Sequence, residues 1–260
     1  MMPTLYISHG SPMTAIVDTP ARRFLAGLGN ELARPRAILV ASAHWESAAP
    51  MLNAVEENET IHDFRGFPPA LFAISYPAPG APELAEEIAA SLRAAGIAAE
   101  LDRKRGLDHG AWVPLILAYP EADTPVLELS VQTPLGPAHH LALGRALARL
   151  RERDVLVLGS GSFTHDLRRF ARGRQGIDAG ETADVAEFSE WMDRHIREND
   201  TAALVDYRRL APFAADEHPT EEHLLPLYVA LGAAGEKPSA KLLHSSVEFG
   251  FLRMDAYAFA

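Results

Sequence analysis

The chain has 260 residues, 48% of them apolar and 23% charged, with a net charge of −11 and no cysteine. That length admits one large domain or two small ones, and a single α/β core of this size buries about 70–75% of its unfolded surface without covalent staples. The acidity argues against nucleic acid or an anionic membrane as a partner, and the lack of cysteine removes disulfides, thiolate metal sites and cysteine nucleophiles.

Taken in chain order, residues 4–7 form a first predicted strand, and residues 20–32 a helix with Phe24, Leu25, Leu28 and Leu32 at helical spacing behind Pro20. Residues 37–41 read as a buried strand. The stretch 60–79 holds aromatics among prolines, which predicts an ordered flap over a site rather than a disordered loop. Pro82 opens a helix with Leu84, Ile88 and Leu92 on one face, stopped by Gly96. A short buried helix over 112–119, a strand over 125–131, an amphipathic helix over 139–150 and a strand over 154–158 follow. The arginine-rich run 168–174 reads as a solvated loop continuing through 173–180, and residues 185–196 as an amphipathic helix. Thr220 is positioned to cap a helix over 221–231, with Glu221 and Glu222 at its positive end. The tail 247–259 has β-type segments that fit an edge strand.

The alternation of strand and helix predicts a single α/β domain over residues 1–260: a central, mostly parallel sheet flanked by helices, with a C-terminal edge strand. No stretch approaches about 18 continuous apolar residues, and residues 1–7 lack a charged run ahead of an apolar one, so neither a membrane span nor a signal peptide is visible and a cytoplasmic location is expected.

Chemistry concentrates in the histidines, of which there are eleven. Three follow apolar runs: His9 after Leu5-Tyr6-Ile7, His44 after Ile38-Leu39-Val40, and His165 after Val155-Leu156-Val157-Leu158 and a glycine-serine turn. In an open α/β sheet the carboxyl ends of the strands form the ligand crevice, so strand-end imidazoles from distant sequence can assemble a metal site there. Without thiolates, any metal must be held by imidazole and oxygen. His9 and His44 are read as ligands, His223 as the third, with Glu222 as the carboxylate alternative. His165 could ligate the metal or stand beside it as acid/base, and His109 could donate to a substrate oxygen or be held by a backbone group. His139, His140, His195 and His244 are expected on helix surfaces or in ordinary contexts. Gly159-Ser160-Gly161-Ser162 lacks the Lys-Ser/Thr ending of a phosphate loop and the length of a nucleophile elbow; its small residues suit close approach of backbone to a metal-bound ligand.

Six segments, Ser8-His9-Gly10-Ser11-Pro12, Ser42-Ala43-His44-Trp45, 61–68 (beginning Ile61-His62-Asp63), 76–80, Asp108-His109-Gly110-Ala111-Trp112 and Pro219-Thr220-Glu221-Glu222-His223, together resemble the DODA-type extradiol aromatic ring-opening dioxygenases of the class III superfamily, which includes the protocatechuate dioxygenase β subunit. The resemblance spans nearly the whole chain in order. It implies a mononuclear non-haem site with His9, His44 and His223 as ligands, and His165 as acid/base or additional ligand, with His109 near the substrate. Where the wider superfamily has a carboxylate as third ligand, this sequence has His223. The expected cofactor is one divalent ion, Fe(II) for catalysis with Zn(II) able to occupy the same donors; the expected substrates are a DOPA-like catechol and O₂. The flap 61–76 is expected to cover the substrate, with Phe64, Phe67 and Phe72 as apolar walls, His62 beside the substrate and Arg65 meeting a substrate carboxylate. Two other functions fit the same histidines: a zinc hydrolase or amidase, and a non-catalytic binding member of the superfamily.

Overall fold

Strands and helices alternate because the apolar pattern switches between a period of two and one of about 3.6 residues. The computed structural model describes residues 1–173 and 175–260, together with all side chains among them except that of Arg172. In order the elements are β1 (Thr4–Ser8), α1 (Pro20–Glu31), β2 (Ala37–Glu46), β3 (Met51–Asn53), α2 (Pro69–Phe72), α3 (Pro82–Ala94), β4 (Glu100–Asp102), α4 (His109–Ala118), β5 (Val126–Val131), α5 (Gly136–Leu147), β6 (Val155–Gly161) and α6 (Ala183–Arg197). Three short helices follow, α7 (Thr201–Val205), α8 (Tyr207–Leu210) and α9 (Ala214–Glu217), then α10 (Leu225–Ala233), β7 (Ala240–His244), β8 (Val247–Glu248), β9 (Leu252–Arg253) and β10 (Ala256–Phe259).

Eight strands form one sheet in the order β4-β3-β5-β2-β6-β1-β10-β7. Its centre, β5-β2-β6-β1, is parallel, in the register Ile38↔Val126, Ile38↔Leu156 and Leu5↔Leu158. These strands are buried on both faces, as parallel strands in a three-layer α/β domain must be. Alternate residues serve opposite layers. Leu5, Ile7, Ile38 and Val40 pack with Leu25 of α1 and Trp112 of α4. Leu39, Ala41, Val155 and Val157 pack with Ile88 of α3, Leu143 of α5 and Val229 of α10. No helix among the described residues is long and apolar enough to cross a membrane.

Four expectations change. The tail strand β10 is not an edge: it lies antiparallel between β1 and β7, and β7 closes the sheet. β7 reads poorly from sequence because Ala240-Lys241-Leu242-Leu243-His244 is short and only half-buried on both faces. The helix expected over 221–231 begins at Leu225, preceded by a turn over 221–224, so Thr220 caps nothing and His223 stands ahead of the helix. Pro226, in the first turn of α10, is compatible with that later start and with nothing further inside the helix. His140 is a core histidine rather than a surface one, fully buried between the carbonyl of Gly136 and the amide of Gln132. The arginine-rich run is only partly a loop: Leu167–Arg172 form a 3₁₀ turn and Arg169 pairs with Asp184 and Glu217, while Arg174 lies outside the described residues.

Candidate metal centre

The carboxyl ends of β1, β2 and β6 open onto one cavity of about 450 Å³. His9 follows directly on β1, fixed by its amide donating to Gly161 O on β6. Gly10 turns the chain away at φ +68°, where a Cβ would lie 2.6 Å from Met254 Cε. His44 sits where β2 leaves its ladder: pairing with β5 holds to Ala41↔Leu129 and resumes only at Glu46↔Val131. That irregularity lets the imidazole turn inward, a common use of a bulge beside a site. His223 arrives from the turn before α10, which presses against β6. A Cβ on Gly161 would lie 2.0 Å from His223 O, and that carbonyl accepts from Ser162 N. The glycines at the carboxyl end of β6 therefore admit the backbone of the segment bearing His223.

The three imidazoles converge. His9 Nε2 is 3.0 Å from His44 Nε2, and His223 Nε2 is 3.3 Å from the same atom. Their far nitrogens identify the protons. Ser160 Oγ donates its only hydrogen to Gly110 O, so it accepts from His9 Nδ1–H. Glu222 Oε1 accepts from His223 Nδ1 at 3.0 Å. Asp63 Oδ2 lies 3.4 Å from His44 Nδ1. With Nδ1 protonated, the Nε2 lone pairs of His9 and His223 both meet that of His44 at contact distance, which is repulsive unless a cation stands between them. Nitrogens bound at about 2.1 Å to one ion are roughly 3.0–3.4 Å apart at right-angle to tetrahedral bond angles, so the three residues fit a metal ion as they stand. Burial pushes the imidazoles of His9 and His223 well below their ordinary pKa and that of His44 to about 3. Neutral imidazole is the form that ligates.

Two further histidines line the cavity beside this set. His165 stacks on His223 with ring centroids 3.4 Å apart and its Nδ1 4.0 Å from Glu222 Oε1. It is outside the triad of mutually close donors His9, His44 and His223. Burial lowers its pKa to about 4. His109, the first residue of α4, donates from Nδ1 to both oxygens of Asp63 at 2.9 Å and packs against His44, ring centroids 3.8 Å apart. Burial works to raise the Asp63 pKa, but the hydrogen bonds from His109 outweigh it and hold the carboxyl at about 2.

Behind His44, Ser42 Oγ donates to Asp108 Oδ1 at 2.7 Å and accepts from His44 N. Asp108 is tied in turn to Arg105, which reaches Glu128 and lies over the Trp45 ring. The sequence pattern did not single out Asp63, Ser160, Ser42 or this Arg105–Asp108–Glu128 group. Asp63 and Asp108 stand inside quoted segments. Ser160 and Ser42 are partners in the β2–β6 register, which only the pairing reveals.

The flap lies over the cavity, pinned by Trp112 Nε1 donating to Ile61 O and by Tyr76 N donating to Thr60 Oγ1. Phe64 and Phe67 line the cavity. His62 does not: it donates to Ile74 O and packs behind Phe64. Arg65 is exposed and outside the lining, and Phe72 is 44% exposed against Phe64. The opposite wall is Leu167, Phe170, Phe249 and Leu252, none of which the sequence pattern marked.

Comparison with known proteins agrees with this geometry. Residues 3–260 match the family described as the catalytic LigB subunit of aromatic ring-opening dioxygenase. A 4,5-DOPA dioxygenase extradiol of Beta vulgaris is 45% identical over 260 residues, covering 98% of this chain and 96% of that protein. One from Escherichia coli (strain K12) is 36% identical, covering 97% and 93%. The crystal structure of an uncharacterized Escherichia coli K12 protein superposes with a TM-score of 0.81 at 31% identity, over 100% of both chains. The chain belongs to the catalytic LigB family of aromatic ring-opening dioxygenases, the class III extradiol enzymes.

Proposed function

We propose that residues 1–260 act as one catalytic domain that opens a catechol-type ring by extradiol cleavage, with His9, His44 and His223 holding the metal. The observation that carries this is the convergence of three bare Nε2 atoms on the floor of an aromatic-walled cavity, with two more imidazoles beside them. The relatives named as 4,5-DOPA dioxygenases make DOPA the first substrate to test.

The overall reaction adds O₂ to the catechol. The bond between a hydroxyl-bearing carbon and its neighbour breaks, the O–O bond breaks, and both oxygen atoms enter the product. The ring supplies all the electrons, so no external reductant is consumed. An Fe(II) ion on the three imidazoles would supply open positions for both catechol oxygens and O₂ and a one-electron couple between them, which Zn(II) on the same donors lacks.

The remaining roles belong to the chain. His165, neutral near pH 7 because it is buried, accepts a proton from a catechol hydroxyl and returns it as the O–O bond breaks. His109, its Nδ1 engaged by Asp63, presents Nε2 to the cavity to orient a substrate oxygen. Phe67 packs on the aromatic ring, and His62 acts through Phe64, which it backs. Arg65 stands at the solvent side of the flap and enters no step.

Anaerobic loading with Fe(II), followed by ¹⁸O₂ and a catechol, tests the proposal. The expected result is one O₂ consumed per catechol and both labelled atoms in a ring-opened product. Hydrolysis of an amide or ester by the zinc-loaded protein under nitrogen, with no oxygen uptake from any catechol, would overturn it.

A further inference from the structure

Besides its histidines, the 10–13 turn and Ser162, the cavity is lined by six apolar side chains that converge from three separate stretches of chain: Phe64, Phe67, Leu167, Phe170, Phe249 and Leu252. The eight heavy atoms of catechol itself fill only part of a cavity of about 450 Å³. These six residues supply most of the apolar lining beyond the histidines. Phe170 meets Phe249 edge-on at 5.0 Å and Phe64 meets Phe67 edge-on at 5.3 Å, so the walls are shaped surfaces rather than loose ends. Leu167 and Phe170 are nevertheless 50% and 39% exposed, an unfavourable state for apolar groups at a cavity mouth unless something covers them.

Apart from Arg65, which stands exposed on the flap, the charged side chains described along these stretches are committed elsewhere. Arg168 pairs with Asp166, Arg169 with Asp184 and Glu217, and Arg253 with Asp255 and Glu181. Asp63 is held by His109, and Glu222 by His223. A ligand carboxylate or ammonium placed against this wall would lose its water and meet hydrocarbon.

We propose that the catechol accepted here carries an uncharged, apolar substituent, alkyl or aryl, seated between the flap phenylalanines and the Leu167–Phe170–Phe249–Leu252 wall. The inference rests on the dioxygenase reading for the catechol head and adds the class of its tail. It separates this chain's preferred substrate from DOPA, whose side chain is charged.

Calorimetric titration of the zinc-loaded protein separates binding from turnover, because zinc cannot support the oxidation. The probes are 4-methylcatechol, 4-ethylcatechol, 4-propylcatechol, DOPA and 3,4-dihydroxyphenylpropionate. Each added methylene is expected to tighten binding by about fourfold at full burial, and propylcatechol is expected to bind about tenfold or more tighter than either charged probe. Leu167→Lys, at a half-exposed position that tolerates change, is expected to weaken propylcatechol and strengthen 3,4-dihydroxyphenylpropionate. Equal or tighter binding of DOPA or the propionate by the unsubstituted protein would overturn the proposal. Oxygen uptake by the iron-loaded protein is scored separately: the expected ligand ranking without oxygen consumption would sustain the tail assignment and reject the dioxygenase reading.

Discussion

The proton on each site imidazole is fixed by what its Nδ1 meets. Ser160 Oγ, already donating to Gly110 O, leaves His9 no alternative but to donate, and Glu222 imposes the same on His223. Such partners orient a ligand and raise its basicity, and losing one typically costs about 10–100-fold in metal affinity. Ser160→Ala is therefore expected to weaken metal binding by about that factor in competition with a chelator; unchanged affinity would show that the ring is oriented by other contacts. His165 stacks on His223 and groups with Glu222 and His223, not with His9 and His44. His165→Ala is expected to retain the metal while turnover falls by about 10²–10⁴-fold. Loss of the metal in that variant would make it a ligand instead. His9, His44 and His165 were legible in the sequence because each follows an apolar strand. Ser160 and Asp63 were not, because a buried serine or a loop aspartate has meaning only once the partner it faces is known.

At the scale of elements, the site depends on how closely β6 accepts the turn before α10. Gly161 admits His223 O where no side chain fits. Gly161→Ala must push that carbonyl, and with it the ligand, outward. Overpacking of this kind typically costs about 1–3 kcal/mol, and here metal content is expected to fall with it. Urea unfolding and metal analysis of the same sample check both, and a stable variant with full metal would show that the turn can shift without disturbing the site. The sequence identified the glycine-serine stretch as a place of close approach. It could not identify the approaching group, which lies about sixty residues later by count from Gly161 to His223. The helix expected from Thr220 failed for a local reason: residues 221–224 form the turn that presents His223, closed by Leu224 N and Leu225 N donating to Glu221 O, and the regular helix starts only at Leu225. The flap was recognised from its aromatics and prolines, but the sides its residues face were not. Phe67 lines the cavity and Arg65 meets solvent, because without a regular period nothing in residues 61–76 encodes orientation.

At the scale of the whole molecule, the parallel centre of the sheet was legible because its strands are long, apolar and followed by turn residues. The margins were not. β3, β4 and β7 span three to five residues with mixed exposure, and their membership depends on neighbours distant in sequence. The same burial that hides these relations governs stability. His140 is satisfied as a neutral imidazole, donating from Nδ1 to Gly136 O and accepting at Nε2 from Gln132 N. Burial lowers its pKa from 6.5 to about 4, and that of His218 to about 3. In the unfolded chain both would titrate near 6.5, so between that pH and about 4 the unfolded state binds more protons. The stabilisation is fully present above pH 6.5 and is lost as pH falls, by about 3 kcal/mol for His140 alone. Denaturation across this range is expected to show it, and His140→Gln to flatten the slope by about one proton; an unaltered slope would remove His140 from the account.

The proposed function rests on three imidazoles, those of residues 9, 44 and 223, brought close enough to share one ion. The direct measurement is the iron content of the anaerobically loaded protein beside His9→Ala, His44→Ala and His223→Ala, each first confirmed as folded by circular dichroism. The account requires one Fe(II) per chain in the unsubstituted protein and loss of tight binding in all three variants. Full iron in any one of them would contradict it.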